Sequence, residues 1–237
     1  NGAYSHLFIA PAEPGAQALD LTPGKVDCPP AALGSRKDFA VSPDNRHVYY
    51  AANRDEVVAR STNNDLWRVG LDGKGLERVT SNPANDNTVL FSPKGKVLAY
   101  RAMKRAGFES DKHDIWLLDT STGRRVCLTG EFDRSAEELA WDPKGETLYF
   151  TAESEGRVSI FSVPARLDGP APKAVRLTNE GSWSGISVTP DGKSIVALRQ
   201  ALTRPNEVYI LPLDGKPARP LTSRNKDWLA QVELTPA

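Results

Sequence analysis

Apolar and polar positions along the chain fall into short runs that recur in a fixed order. The order is complete between Val89 and Thr129. Val89, Leu90 and Phe91 form an apolar run, and Ser-Pro-Lys-Gly follows as a tight turn with proline second and glycine fourth. Lys96 to Arg101 reads as a second strand, the charged stretch RAMKRAGFESDKH as a loop, Asp114 to Leu118 as a third strand and Arg125 to Thr129 as a fourth. The first half recurs as FAVSPDNRHVYYAA from Phe39, LAWDPKGETLYFTA from Leu139 and ISVTPDGKSIVALR from Ile186. The second half recurs as DLWRVGLDGKGLERVT from Asp65, SIFSVPARLDGPAPKAVRLT from Ser159 and EVYILPLDGKPARPLT from Glu207. Aligned on Pro43, Pro93, Pro143, Pro190 and Pro236, the repeats are spaced by 50, 50, 47 and 46 residues. One aromatic slot in the third strand is filled by Trp67, Trp116, Phe161 and Tyr209. Four antiparallel strands at such a period describe the blade of a β-propeller, an all-β array without helices of three or more turns.

The pattern divides 1–237 into a half blade at 1–38, blades at 39–80, 81–129, 130–178 and 179–222, and a terminal strand at 223–237. That makes about 4.5 to 5 blades. Two arrangements fit: a slice of a larger propeller, or two ends that pair into a fifth blade and close a small ring. The opening Asn-Gly-Ala-Tyr lacks a methionine and an apolar leader, so the chain reads as processed or excised. The connector 22–38 is rich in proline and glycine and reads as a surface loop.

Composition narrows the function classes. Thirty basic and thirty acidic residues cancel, which removes the electrostatic case for nucleic acid or an anionic membrane. No apolar run approaches the roughly 20 residues of a membrane span. Cys28 and Cys127 read as two free thiols, since neither lies in a Cys-x-x-Cys spacing. His6, His47 and His113 each stand at or near a strand edge without a recognisable nucleophile. Asp111, His113 and Asp114 offer ligand atoms, but successive strand residues face opposite ways, so no metal site is expected. No cofactor is implied. Gly181-Ser182-Trp183-Ser184-Gly185 puts tryptophan where a nucleophile elbow needs serine, between two strands, so no catalytic residue is expected in this chain.

Loop lengths locate the expected functional face. Connections between strands one and two, and three and four, are short turns in three of the four repeats; those between two and three, and from four to the next one, are long and varied. The long set comprises 53–64, 81–88, 102–113, 130–138 and 199–206. Long, diverse loops on a rigid scaffold are where binding concentrates.

The order of pieces resembles the propeller domain of the prolyl oligopeptidase family of serine peptidases, in particular dipeptidyl-peptidase V-like and acylaminoacyl-peptidase-like members. The stretches AYSHLF, YRAMKRAGFESDKHDIW, FDRSAEELAWDPKGETLYFTAESEGR, LTRPNEVYI and LTSRNKDWLAQVEL carry the resemblance. Ser-Pro-Asp-Gly units alone are shared with TolB-like propellers. The resemblance implies a larger ring of seven or eight blades and an α/β-hydrolase partner domain of the same protein holding a Ser-Asp-His triad. It further implies short peptide substrates, and export to the periplasm rather than residence in the cytoplasm. The propeller would gate the active site and help position substrate. On that basis Glu109 and Asp111 are candidates for holding a peptide ammonium and Arg101 and Arg105 for a carboxylate, with Trp183 as an aromatic candidate. The alternative is a TolB-like or self-closed five-bladed module that binds a protein. Strands exposed at the array ends would pair with another chain, which leaves a homo-oligomer open.

Overall fold

The computed structural model describes residues 2–31, 33 and 37–234. The chain divides into two compact units, Asn1–Leu128 and Thr129–Ala237. In the first unit β1 (Phe8–Ile9) and β2 (Leu19–Asp20) form a two-stranded sheet. Two four-stranded antiparallel sheets follow. One is β3 (Phe39–Val41), β4 (His47–Asn53), β5 (Asn64–Gly70) and β6 (Glu77–Arg78); the other is β7 (Asp86–Phe91), β8 (Val97–Ala102), β9 (Asp114–Asp119) and β10 (Arg125–Cys127). The second unit contains β11 (Leu139–Trp141), β12 (Thr147–Ser154), β13 (Arg157–Pro164) and β14 (Val175–Arg176) as one sheet. Its other sheet is β15 (Ser182–Val188), β16 (Ser194–Ala201), β17 (Arg204–Pro212) and β18 (Arg219–Pro220). Each four-stranded sheet is a meander in chain order, the form of a propeller blade.

The repeated residues earn their places. In the first turn of each blade the fourth residue donates its N–H to the first residue's carbonyl, from Asn45 to Ser42, Gly95 to Ser92, Gly145 to Asp142 and Gly192 to Thr189. That fourth residue is left-handed in every case, with φ of 54°, 74°, 70° and 69°. Glycine at two of these positions also lets neighbouring blades meet. A Cβ on Gly95 would stand 2.8 Å from Pro43 Cβ, and one on Gly192 3.3 Å from Pro143 Cδ. The aromatic slot pairs across the sheet: Trp67 lies opposite Tyr50, Trp116 opposite Tyr100, Phe161 opposite Phe150 and Tyr209 opposite Ala197.

The middle strands are buried on both faces, which is why they read as nearly continuous apolar runs. In β4, Val48, Tyr50 and Ala52 pack with Leu21 and Cys28, while Tyr49 and Ala51 pack with Val89, Leu98 and Tyr100 of the next blade. In the second unit Ile160 and Tyr149 join Trp183, Ile195 and Tyr209 in one cluster. Cys28 and Cys127 are free thiols, and burial pushes the Cys28 thiol up.

Three expectations need correction. The 223–237 segment does not supply a strand over its described part; it forms a one-turn helix, α1 (Lys226–Leu229), with Trp228 exposed. Asn225 turns the chain there, donating its N–H at 2.9 Å and its side-chain amide at 3.1 Å to Glu207 Oε1. Pro236, used to align the repeats, lies outside the described residues. The 199–206 stretch is not a long loop, because β16 and β17 run almost through it and leave only Leu202 and Thr203 at the tip. Register shifts between Arg199 and Ala201, so Pro205, which has no N–H to give, sits at a bulge. Finally, 81–88 is a shorter connector than expected, since β7 already begins at Asp86.

Candidate functional site

Within the four-stranded sheets of the first unit the long connectors are 54–63, between β4 and β5, and 103–113, between β8 and β9. Each is folded around an aspartate. Asp55 accepts from Ser61 Oγ at 2.6 Å and Asn63 Nδ2 at 3.0 Å. Asp111 accepts from the backbone N–H of Lys104 and of Arg105, both at 2.8 Å, and from Arg105 Nε at 3.0 Å. Desolvation pushes the Asp111 carboxyl up, but the hydrogen bonds from Arg105 and Lys104 outweigh it and hold the group at about 2. The two loops meet where Gly107 N–H donates to Thr62 Oγ1 at 2.9 Å.

This geometry sorts the five sequence candidates. Asp111 is committed to holding its own loop. Arg105 is committed with it, its guanidinium also lying 4.1 Å from the centre of the Phe108 ring. Arg101 points inward and is only 5% exposed, donating from Nε to Asn87 Oδ1 at 3.1 Å and Thr88 Oγ1 at 3.0 Å. Trp183 is 2% exposed in β15 and donates its indole N–H to the Glu180 carbonyl at 2.8 Å. Glu109 differs from all of these: it is exposed on the 103–113 loop and makes no hydrogen bond or ion pair among the described residues. The structure thus brings Glu109, Arg105 and Asp111 together on one loop, places Arg101 in the adjoining sheet, and leaves Trp183 in the other unit.

Behind the loop lies a buried polar group that the sequence pattern did not reveal. Asn64 Nδ2 donates to Asn85 Oδ1 at 2.9 Å, and Asn85 Nδ2 lies 3.2 Å from His113 Nε2 and donates to the Leu33 carbonyl at 3.0 Å. Burial, then the charge of Arg101, lowers His113 to about 4, so at neutral pH it is an acceptor for the asparagine amide. The signal available was the run Asn85-Asp86-Asn87-Thr88, polar residues ahead of the apolar part of an inner strand. Beside this group is a cavity of about 410 Å³ whose lining includes Asp86, Tyr100, Trp116 and Lys104. Asp86 is fully buried; desolvation raises its carboxyl to about 7, and its Oδ2 has no hydrogen-bond partner among the described residues. No cluster of three or more ligating side chains suited to a metal occurs among the described residues.

No protein-family model matches the chain. Dipeptidyl-peptidase 5 of Porphyromonas gingivalis is 26% identical over 237 residues, covering 98% of this chain and 34% of that protein. The chain therefore spans about a third of the length of the curated relative it matches. Among solved structures, the putative TolB from Agrobacterium tumefaciens superposes with a TM-score of 0.64 at 17% identity, covering 89% of this chain and 70% of that one. The acylaminoacyl peptidase of Pyrococcus horikoshii gives 0.62 at 17% identity, covering 92% and 30%. The β-propeller domain of the Trilobed protease from Pyrococcus furiosus gives 0.59 at 15% identity, covering 88% and 55%. The likeness to a dipeptidyl-peptidase is one of sequence, and the likeness to the structures establishes the β-propeller fold.

Proposed function

We propose that this chain is the propeller portion of a larger serine peptidase of dipeptidyl-peptidase type. It gates access to an active site carried by an α/β-hydrolase domain of the same protein and helps position short peptides. The observation that carries this reading is sequence likeness to dipeptidyl-peptidase 5 along 98% of the chain. The 103–113 loop supports the positioning role. Asp111 and Arg105 fix its path, and that leaves Glu109 in water, uncommitted, as the carboxylate able to receive a peptide ammonium. Hydrolysis of dipeptidyl and acyl-aminoacyl chromogenic substrates by the whole protein tests the reading. Cleavage of either supports it, and an inert whole protein overturns it.

A second reading has its own support in the TolB likeness, which covers more of that chain than of any peptidase described above. On this reading the loops 54–63 and 103–113 bind a protein partner. Loss of a co-purifying partner on deleting 104–110, in a whole protein without peptidase activity, would favour it.

A further inference from the structure

The second unit contains a cavity of about 530 Å³ at the β16–β17 hairpin, lined in part by Arg199, Arg204, Lys226, Glu180 and Glu207. Its central feature is a guanidinium that the fold immobilises. Arg199 lies 5.4 Å from the centre of the Trp183 ring and 5.2 Å from that of Tyr209, the two rings meeting edge to face at 5.8 Å. On a third side is Gly181, at φ +70°; a Cβ there would stand 2.7 Å from Arg199 Nε and 2.9 Å from the Gln200 carbonyl. The absence of a side chain at residue 181 is what leaves room for the guanidinium. Trp183 thus acts as one wall of an arginine seat.

The charges around this seat are unequal in freedom. Glu207 is spoken for: Thr222 Oγ1 donates to one oxygen, and Asn225 N–H and Nδ2 donate to the other. Glu180 pairs with Arg199 Nη2 at 3.1 Å, but its side chain is 84% exposed, a pairing that water weakens and an incoming anion can displace. Arg204 and Lys226 make no side-chain ion pair among the described residues. Three cations therefore face one loosely held carboxylate and one whose lone pairs are satisfied. Tyr209, Pro205, Pro220 and Leu229 supply apolar lining beside them.

We propose that this cavity binds a small organic carboxylate with an apolar body, its carboxylate forked by Arg199 and its body against the Tyr209 side. A fixed planar fork suits a carboxylate better than a mobile lysine does, because little side-chain freedom remains to be lost on binding. The proposal does not rest on the peptidase reading, since it uses only residues of the second unit.

Calorimetric titration of the protein with N-acetyl-leucine and with N-acetyl-leucinamide tests it. The acid should bind at least about tenfold more tightly than the amide, and Arg199→Gln should remove roughly ten- to a hundredfold of the acid's affinity, the span expected for charge-assisted hydrogen bonds. Arg199→Lys, which keeps the charge but not the fork, should recover only part of it. The paired exposed substitutions Arg204→Gln and Lys226→Gln should weaken the acid by about threefold and leave folding intact, so the test survives if Arg199→Gln destabilises the sheet. Equal binding of acid and amide, binding of neither, or unchanged affinity in both the Arg199→Gln and the paired variants would overturn the proposal.

Discussion

The two units carry the same repeat but finish its central hairpin differently. In the first unit β4 stops at Asn53 and β8 at Ala102, and connectors of ten and eleven residues fold back around Asp55 and Asp111. In the second, β12 and β13 are joined by Glu155 and Gly156 alone, at φ of 55° and 71°, and β16 and β17 by Leu202 and Thr203. Two left-handed residues match the twist of the strands they join, so the pairing runs to Ser154 opposite Arg157. The difference teaches where each unit can place chemistry. The first presents polar groups on loops held by carboxylates. The second presents them from the rigid strands of a ribbon, as with Arg199.

The comparison can be sharpened by substitution. The largest effect belongs to Asp86, buried in the first unit. Its carboxyl titrates at about 7 in the folded chain and near 3.8 when exposed. Both states are protonated below about pH 4. Between pH 4 and 7 only the unfolded chain loses its proton, so stability falls as pH rises, and this cost persists above 7. Asp86→Asn should abolish that slope, gaining roughly 3 to 4 kcal/mol at pH 8 relative to pH 4 in denaturant midpoints measured at both values.

Asp111→Ala comes next. It frees two backbone N–H groups and the Arg105 side chain, and should cost about 2 to 3 kcal/mol, with amide exchange rising across 103–113 and not in β12–β13. Because the Asp111 carboxyl is lowered, its contribution is present above about pH 4 and is lost as pH falls through about 2. Gly156→Ala strains a left-handed turn residue and should cost about 1 kcal/mol, read as earlier thermal unfolding. Leu202→Ser, at a hairpin tip 89% exposed, should stay within about 0.5 kcal/mol of the parent.

Much of the fold was legible because propeller blades repeat their local rules. Pro43, Pro93, Pro143 and Pro190 mark the turns, and the residues at Trp67, Trp116, Phe161 and Tyr209 occupy one register position. What the pattern hid was tertiary. Pro205 suggested a loop, but a bulge absorbs it in a strand. Asn85, Asp86 and Asn87 looked like solvated connector residues, yet all three are buried; Asn85 and Asn87 meet partners drawn from distant segments, while Asp86 accepts from nearby Asn82. Arg101 stood where the second strand of its blade meets a charged loop, and the pattern did not show that its position in β8 turns it inward. At the C-terminal segment, Glu207 bends the chain through Asn225, a contact 18 residues away in sequence.

For the proposed function, the most direct measurement is kcat/KM of the whole protein, parent against Glu109→Gln, on a dipeptidyl substrate with a free amine and on its N-acetylated counterpart. The account predicts a loss of roughly ten- to a hundredfold with the free amine, the size of one ammonium–carboxylate contact, and no change with the acetylated form. Equal kcat/KM for parent and variant on the free-amine substrate would contradict it.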